Sequence, residues 1–156
     1  MSYVYRYEQV PDERCLKVLG YNFKKEPKQT IREFLGAGLP ERFEAIVIQG
    51  CTLSSDQLSE INELIKERAT DTLWRVHFHR STLVGRNDSD RAEQFGLFFD
   101  LIHEKPLVDL KLDSITPMSE MWMALQSNRL AALCNTNTTI RDKTRVLNLT
   151  KLLLIR

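Results

Sequence analysis

The chain has 156 residues and a formal net charge of +1 at pH 7, and 42% of its residues are hydrophobic. This length matches the usual size of one domain with a continuous core, so we expect a single domain over residues 1–156. Because positive and negative charges are nearly balanced, the chain has no overall positive field that would attract nucleic acid or an acidic membrane. The sequence has no run of about 18 apolar residues, which argues against a membrane-spanning helix.

The cysteines of the chain, Cys15, Cys51 and Cys134, are widely separated and odd in number. A scattered set of this kind is typical of reduced thiols and not of a disulfide framework. The first residues also lack the apolar core of a secretory signal. We therefore expect a cytoplasmic protein.

Residues 1–15 are predicted to form an N-terminal capping segment. Tyr3, Tyr5 and Tyr7 alternate with other residues, and this period of two is typical of a short strand with aromatic side chains on one face. The first unit of a stack of repeats would otherwise expose its core face, so a cap is expected at this end.

The body of the chain repeats one spacing, in which apolar residues are separated first by two residues and then by one. A weak copy, Leu16, Leu19 and Tyr21, comes first. The clear copies are Phe43, Ile46 and Ile48, then Leu73, Val76 and Phe78, then Leu107, Leu110 and Leu112. Each copy is followed by a segment with helical spacing, so the sequence predicts about four strand–helix units over residues 16–133.

These units predict a specific arrangement. We expect strands that are parallel, adjacent and in chain order at 43–49, 73–79 and 107–113, and helices at 55–68, 90–103 and 117–132. Ser54 with Gln57 has the pattern of a capping box, and Thr116 followed by Pro117 is a typical helix start. The predicted core comprises Phe43, Ile46, Ile48, Leu53, Leu58, Ile61, Leu73, Val76, Phe78, Leu107, Leu110 and Leu112.

Residues 134–156 are predicted to be a C-terminal strand or cap. Leu149, Leu152 and Leu154 follow the repeated spacing once more. An unpaired apolar strand is a template for another chain. The segment either adds to the edge of the sheet or pairs with its counterpart in a homodimer, and we expect weak self-association through it.

These residues resemble the leucine-rich repeat family in its ribonuclease-inhibitor-like variant, with short and irregular repeats. Cys51 stands at the family's cysteine or asparagine position, and Leu53 lies two residues beyond it. Ser81 and Ile115 occupy the corresponding positions of the next units. The resemblance implies an α/β solenoid with a parallel sheet on its concave face, helices on its convex face, and protein binding as its usual role.

A second resemblance leads to a different fold. Strand 43–48, helix 56–68 and strand 73–79 are also similar to one unit of a sulfate-transporter and anti-sigma-antagonist domain. That family regulates its partners through a phosphorylatable serine at a helix start, a place held here by Ser54 or Ser55. This alternative leaves the last copy of the spacing unexplained.

The residues between the core positions predict a partner-binding patch. Side chains alternate across a sheet, so residues outside the repeated spacing face away from the core. The predicted patch comprises Trp74, Arg75, His77, His79, Arg80, Asp109, Lys111 and Asp113. Tryptophan and arginine often dominate the binding energy of protein interfaces, because they combine a large contact area with directional donors. The competing interpretation is that Trp74 packs against the neighbouring strands and that the charges pair across them.

Metal binding and catalysis are weaker interpretations of the same residues. His77 and His79 would face the same side of a strand, with Asp109 or Asp113 as an oxygen ligand, but this spacing is common by chance. The sequence lacks a nucleophile elbow and a glycine-rich phosphate loop. We expect no metal site, no cofactor and no catalysis.

The sequence thus predicts a non-catalytic module that binds another protein, and neither nucleic acid nor membrane. The alternative is a self-assembling or structural subunit that associates through the open ends of the solenoid.

Overall fold

The frame of the molecule is a five-stranded sheet in which every described pair of strands is parallel. The computed structural model describes residues 10–84, 88–107 and 109–116. The strands are β1 Cys15–Leu19, β2 Ala45–Gln49, β3 Thr52–Ser54, β4 Arg75–Val84 and β5 Asp109–Thr116. The α-helices are α1 Ile31–Leu35, α2 Ser55–Arg68 and α3 Asp88–His103, and short 3-10 helices lie at Asp12–Arg14 and Gly36–Gly38.

The strands lie in chain order across the sheet. β1 pairs with β2, β2 pairs with β4, and β4 pairs with β5. β3 follows β2 after a bend at Gly50 and also pairs with β4, so β2 and β3 together act as one interrupted strand. In one row of the register Val76 lies between Ile46 and Leu110. The prediction of adjacent, parallel strands in chain order is confirmed, and no other strand lies between them in the described part of the chain.

The first unit has a different register from the one predicted. Leu16 pairs with Ile46, whereas the copy predicted at Leu16, Leu19 and Tyr21 would place Leu19 opposite that residue. Leu19 lies on the other face and is 49% exposed, so the predicted copy is wrong. The cause is Glu13, which stands where the other units have their first apolar residue. Because this position is not apolar, the repeated spacing fits the sequence only three residues later, at Leu16, Leu19 and Tyr21.

The core lies between the sheet and the described helices. Every predicted core residue is buried, which confirms Phe43, Ile46, Ile48, Leu53, Leu58, Ile61, Leu73, Val76, Phe78, Leu107, Leu110 and Leu112. The ring centroid of Phe78 in β4 lies 6.0 Å from that of Phe95 and 5.6 Å from that of Phe98, both in α3. Burial of each large apolar side chain contributes about 1.5–3 kcal/mol, so this layer holds the helices to one face of the sheet.

The described helices follow the sequence signals closely. α2 has the predicted bounds, 55–68, and α3 begins at Asp88 rather than at 90. Ser54 Oγ accepts the N–H of Asp56 at 3.2 Å, and Gln57 Oε1 accepts the N–H of Ser54 at 2.8 Å. The predicted capping box is therefore confirmed.

The observed architecture is mixed α/β, with a parallel sheet and helices. The sheet is not curled into an arc, and three α-helices are described, so this architecture does not show a curved solenoid. The predicted helix at 117–132, the C-terminal segment at 134–156 and most of the capping segment at 1–15 lie outside the described residues. None of the described helices has the length and apolar character needed to cross a membrane.

Candidate functional site

The sheet has a second face, opposite the described helices, which we call the open face. Alternation along the strands places there the residues between the core positions. The open face consists of side chains that are exposed or half-buried, namely Lys17, Leu19, Val47, Gln49, Arg75, His77, His79, Arg80 and Lys111. The register aligns Lys17, Val47, His77 and Lys111 in one row. We take this face as the candidate site because regular strands fix the positions of its side chains.

A bend crosses the sheet at one end of the open face. Gly20, Gly50, Arg80 and Ser114 occupy equivalent positions, one residue after the row that contains Gln49. Their φ angles are 69°, 66°, 52° and 53° respectively. Glycine adopts this left-handed region freely, whereas a residue with a Cβ pays roughly 1–2 kcal/mol there. Arg80 and Ser114 therefore keep the shared bend at a cost that the two glycines avoid.

Directly after the bend, small polar side chains link neighbouring strands. The Cys51 thiol donates to the carbonyl oxygen of Val18 at 3.2 Å, and Ser81 Oγ accepts the N–H of Cys51 at 3.2 Å. The Ser81 hydroxyl in turn donates to the carbonyl oxygen of His79 at 3.0 Å. Burial raises the pKa of the Cys51 thiol, so it remains a neutral donor. The polar positions that the sequence placed at Cys51 and Ser81 thus connect successive units.

Trp74 is buried, with 2% of its surface exposed. Its indole Nε1 donates to Glu44 Oε1 at 2.9 Å, and Arg14 Nη1 donates to Glu44 Oε2 at 3.3 Å. The guanidinium carbon of Arg75 lies 4.8 Å from the centroid of the Trp74 ring. The prediction that Trp74 is an exposed anchor is therefore wrong. Glu44, 30 residues away in the chain, satisfies the indole N–H and so allows the ring to be buried.

Arg75, His77 and Asp109 form a polar cluster on β4 and β5. Arg75 Nε donates to Asp109 Oδ2 at 2.9 Å, and His77 Nε2 lies 3.0 Å from Asp109 Oδ1. His77 Nε2 makes no well-aligned hydrogen bond within the described residues. Burial acts to raise the pKa of Asp109, but the contacts with His77 and Arg75 outweigh it and hold the pKa below its ordinary value. Asp109 is 8% exposed, so it is a buried residue that positions its two neighbours.

His79, Arg80 and Lys111 lie closer to solvent. The ring of His79 is half-buried and perpendicular to that of His77, with 6.4 Å between their centroids. Arg80 is exposed and Lys111 is half-buried, and neither forms an ion pair with another described residue. Asp113 lies opposite His79 in the register. The structure thus places Arg75, His77, His79, Arg80 and Lys111 on two adjacent strands, whereas Asp109 and Trp74, which precedes β4, are buried.

Lys17 belongs to the open face although the predicted patch did not include it. It occupies the same row as His77 and Lys111, and its Nζ lies 2.5 Å from Asp12 Oδ1. The signal that could have found it is the alternation of β1, once the first unit is aligned on Leu16. The missing apolar residue at Glu13 concealed that alignment.

The described residues contain no group of three or more His, Cys, Asp or Glu side chains placed to hold a metal ion. No family model, no curated protein and no solved structure matches the chain. The functional interpretation therefore rests on the geometry and the chemistry of the open face.

Proposed function

We propose that this protein is a non-catalytic protein-binding module, built as a short solenoid of strand–helix units, whose open face meets the partner. One observation carries the proposal. Parallel sheets are normally covered on both faces, because the crossover helices lie on each side. Here the described helices cover one face, and the open face keeps polar side chains at its surface. A parallel sheet with a face of this kind is a surface suited to a partner.

Repetition of the same contacts between neighbouring units supports the solenoid. Cys15 pairs with Ala45 and Ala45 pairs with Arg75, a constant offset of 30 residues, while Arg75 pairs with Asp109 at an offset of 34. The left-handed bend and the polar links recur at fixed positions within these units. Each unit therefore contacts its neighbours as stacked repeats do.

Polar contacts and ion pairs hold parts of the open face in place before a partner binds. Arg75 and His77 are positioned by Asp109, and Lys17 is paired with Asp12. Immobilising a flexible side chain on binding costs about 0.5–1.5 kcal/mol. Side chains that are already positioned avoid part of this cost, so the surface favours association.

A site-specific photo-crosslinker tests whether a partner reaches the open face. Benzoylphenylalanine replaces Val47, which lies between Lys17 and His77, and in a matched variant it replaces Glu63, which is exposed on α2. After irradiation in cell lysate, we expect discrete protein adducts from the Val47 variant that unlabelled protein competes away. The captured protein is identified by mass spectrometry and purified, and its binding should weaken with His79→Ala. Equal adducts from the Glu63 variant, or none from the Val47 variant, would contradict the proposal.

Self-assembly through the edge of the sheet is a second candidate function. Leu19 is 49% exposed on β1, and β1 has β2 as its single partner among the described strands. An exposed apolar side chain on an edge strand favours pairing with another chain. Sedimentation velocity over a wide concentration range should show association that Leu19→Glu abolishes. A wild-type protein that remains monomeric at every concentration would dismiss this function.

Regulation by phosphorylation at the start of α2 gains no support from the local geometry. The Ser54 hydroxyl accepts the N–H of Asp56 and donates to Gln57 Oε1. Phosphorylation of Ser54 removes the hydroxyl hydrogen that is donated to Gln57 Oε1, and nothing in the described contacts of Ser54 favours that change. The open face is therefore the better supported site.

A further inference from the structure

We propose that the partner presents an acidic peptide segment to the open face, with Arg80, Lys111 and His79 as its principal contacts. This inference rests on the proposed binding function and specifies the chemistry of the partner. Three features of the described residues support it: the charge of the open face, the backbone conformation of Arg80 and the width of the sheet.

The open face and α2 differ in charge. The open face carries the cations Lys17, Arg75, Arg80 and Lys111 together with two histidines. Asp12 pairs with Lys17, and the buried carboxylate of Asp109 pairs with Arg75. Asp113 lies opposite His79 in the register, so the cations of this face still outnumber the carboxylates. On α2 the carboxylates Asp56, Glu60, Glu63 and Glu67 outnumber the cations Lys66 and Arg68. The whole chain has a net charge of +1, so the two surfaces differ because charge is separated between them. Such a separation steers an acidic partner toward the open face.

Arg80 combines backbone strain with an exposed cation. Its φ of 52° is left-handed, like that of Ser114 at 53°, whereas Gly20 and Gly50 hold the equivalent positions without strain. Its guanidinium forms no ion pair with another described residue. A strained residue that gains no such contact is typical of a functional position. A guanidinium suits bidentate binding of a carboxylate, so we assign Arg80 to the peptide.

The width of the sheet sets the length of the peptide. Neighbouring strands are about 4.8 Å apart, so the rows from β1 to β5 extend about 15 Å. An extended peptide of about five residues, at about 3.3 Å per residue, crosses all of them, and one of about eight residues extends past both edges. Leu19 and Val47 offer apolar contacts at the β1 and β2 end of these rows. A peptide uses such contacts and a phosphate backbone does not, which favours peptide over nucleic acid.

Fluorescence anisotropy with defined probes tests the inference. The first probe is a labelled peptide of about eight residues that alternates glutamate and valine, and its control replaces each glutamate by glutamine. We expect the glutamate peptide to bind at least about tenfold more tightly, with the difference shrinking at high salt. A labelled thymidine oligonucleotide of similar length is the third probe. Equal binding of the two peptides, or tighter binding of the oligonucleotide, would overturn the inference.

Matched variants locate the binding. Arg80→Gly and Lys111→Gln should each weaken binding of the glutamate peptide about two- to fivefold, because each removes one exposed ion pair. Asp113→Asn should tighten it, since it removes an acidic residue from β5. Lys66→Gln, an exposed lysine on α2, should leave it unchanged, and a loss equal to that of Lys111→Gln would overturn the inference.

The two proposals fail separately. If the crosslinker at Val47 captures a partner but the glutamate peptide does not bind, the acidic partner is wrong and the binding function stands. If the Val47 variant captures nothing, the binding function itself is wrong.

Discussion

The side chains of Glu44 and Trp74 are joined by a hydrogen bond of 2.9 Å between Glu44 Oε1 and the indole Nε1. Their backbones are joined as well, because the N–H of Trp74 donates to the carbonyl oxygen of Glu44 at 3.0 Å. The N–H of Glu44 donates in turn to the carbonyl oxygen of Arg14 at 2.9 Å. These contacts extend the pairing of the sheet ahead of β2 and β4. Trp74 therefore stabilises the sheet as a buried residue.

Trp74→Ala should lower the free energy of unfolding by about 3–5 kcal/mol, because it removes a buried ring. Trp74→Phe keeps an aromatic ring but leaves Glu44 without the indole donor, so it should cost less, about 1–3 kcal/mol. Urea unfolding measures both variants. A cost below about 1 kcal/mol for Trp74→Ala would show that the ring is exposed in solution.

Leu110→Ala should destabilise the protein by about 2–5 kcal/mol, because Leu110 is fully buried between the sheet and the helices. The matched control is Lys111→Ala, the next residue of β5, whose side chain lies on the open face. That change should stay within about 0.5 kcal/mol. Equal effects of the two substitutions on the unfolding midpoint would mean that the register of β5 is wrong.

Asp109 should make stability depend on pH in the acid range. Burial opposes its ionisation, yet the contacts with His77 and Arg75 lower the pKa of Asp109 in the folded protein. In the unfolded chain the carboxyl has its ordinary pKa of about 3.9, so the unfolded state binds more protons there. The stabilisation is complete above that value and is lost as the pH falls through the folded pKa.

The measurement compares wild type with Asp109→Asn by urea unfolding between about pH 6 and pH 2. The difference in free energy of unfolding should be largest at the upper end of this range and should shrink in acid. Asp71→Asn is the control, since Asp71 is exposed. A difference between wild type and Asp109→Asn that grows in acid would contradict the direction of the shift.

Arg80→Gly should preserve the fold and raise the free energy of unfolding by up to about 1 kcal/mol, since glycine adopts a positive φ without strain. Thr82→Gly, in the same strand, should instead lower it by about 0.5–1 kcal/mol. Denaturant unfolding distinguishes the two changes. If Arg80→Gly destabilises the protein as much as Thr82→Gly, the strain at Arg80 is absent in solution.

Local patterns predicted the strands and most of the core. The spacing at Phe43, Ile46 and Ile48 depends on alternation along one strand, which any sheet imposes. The cap at Ser54 depends on residues within one helical turn. The first unit was misaligned because Glu13 breaks the local pattern, although its register is fixed by pairing with β2.

The candidate site was harder to predict because it depends on partners that are distant in the chain. Trp74 is buried through Glu44, and Asp109 is buried through Arg75, each about 30 residues away. The sign of φ at Arg80 follows from a bend that its neighbours Gly20 and Gly50 share. None of these relationships leaves a periodic signal in a single sequence.

Paired residues of β1, β2 and β4 are separated by a constant 30 residues, so the 30-residue unit 45–74 can be duplicated without a change of register. A duplicate of residues 45–74 inserted directly after the original would place a second Ala45 where Arg75 now begins. The bend at Gly50 and the thiol of Cys51 would then recur beside their own copies. Each duplication would widen the open face by one strand, about 4.8 Å. Gene duplication could thus widen this face by whole strands that bring their own core residues.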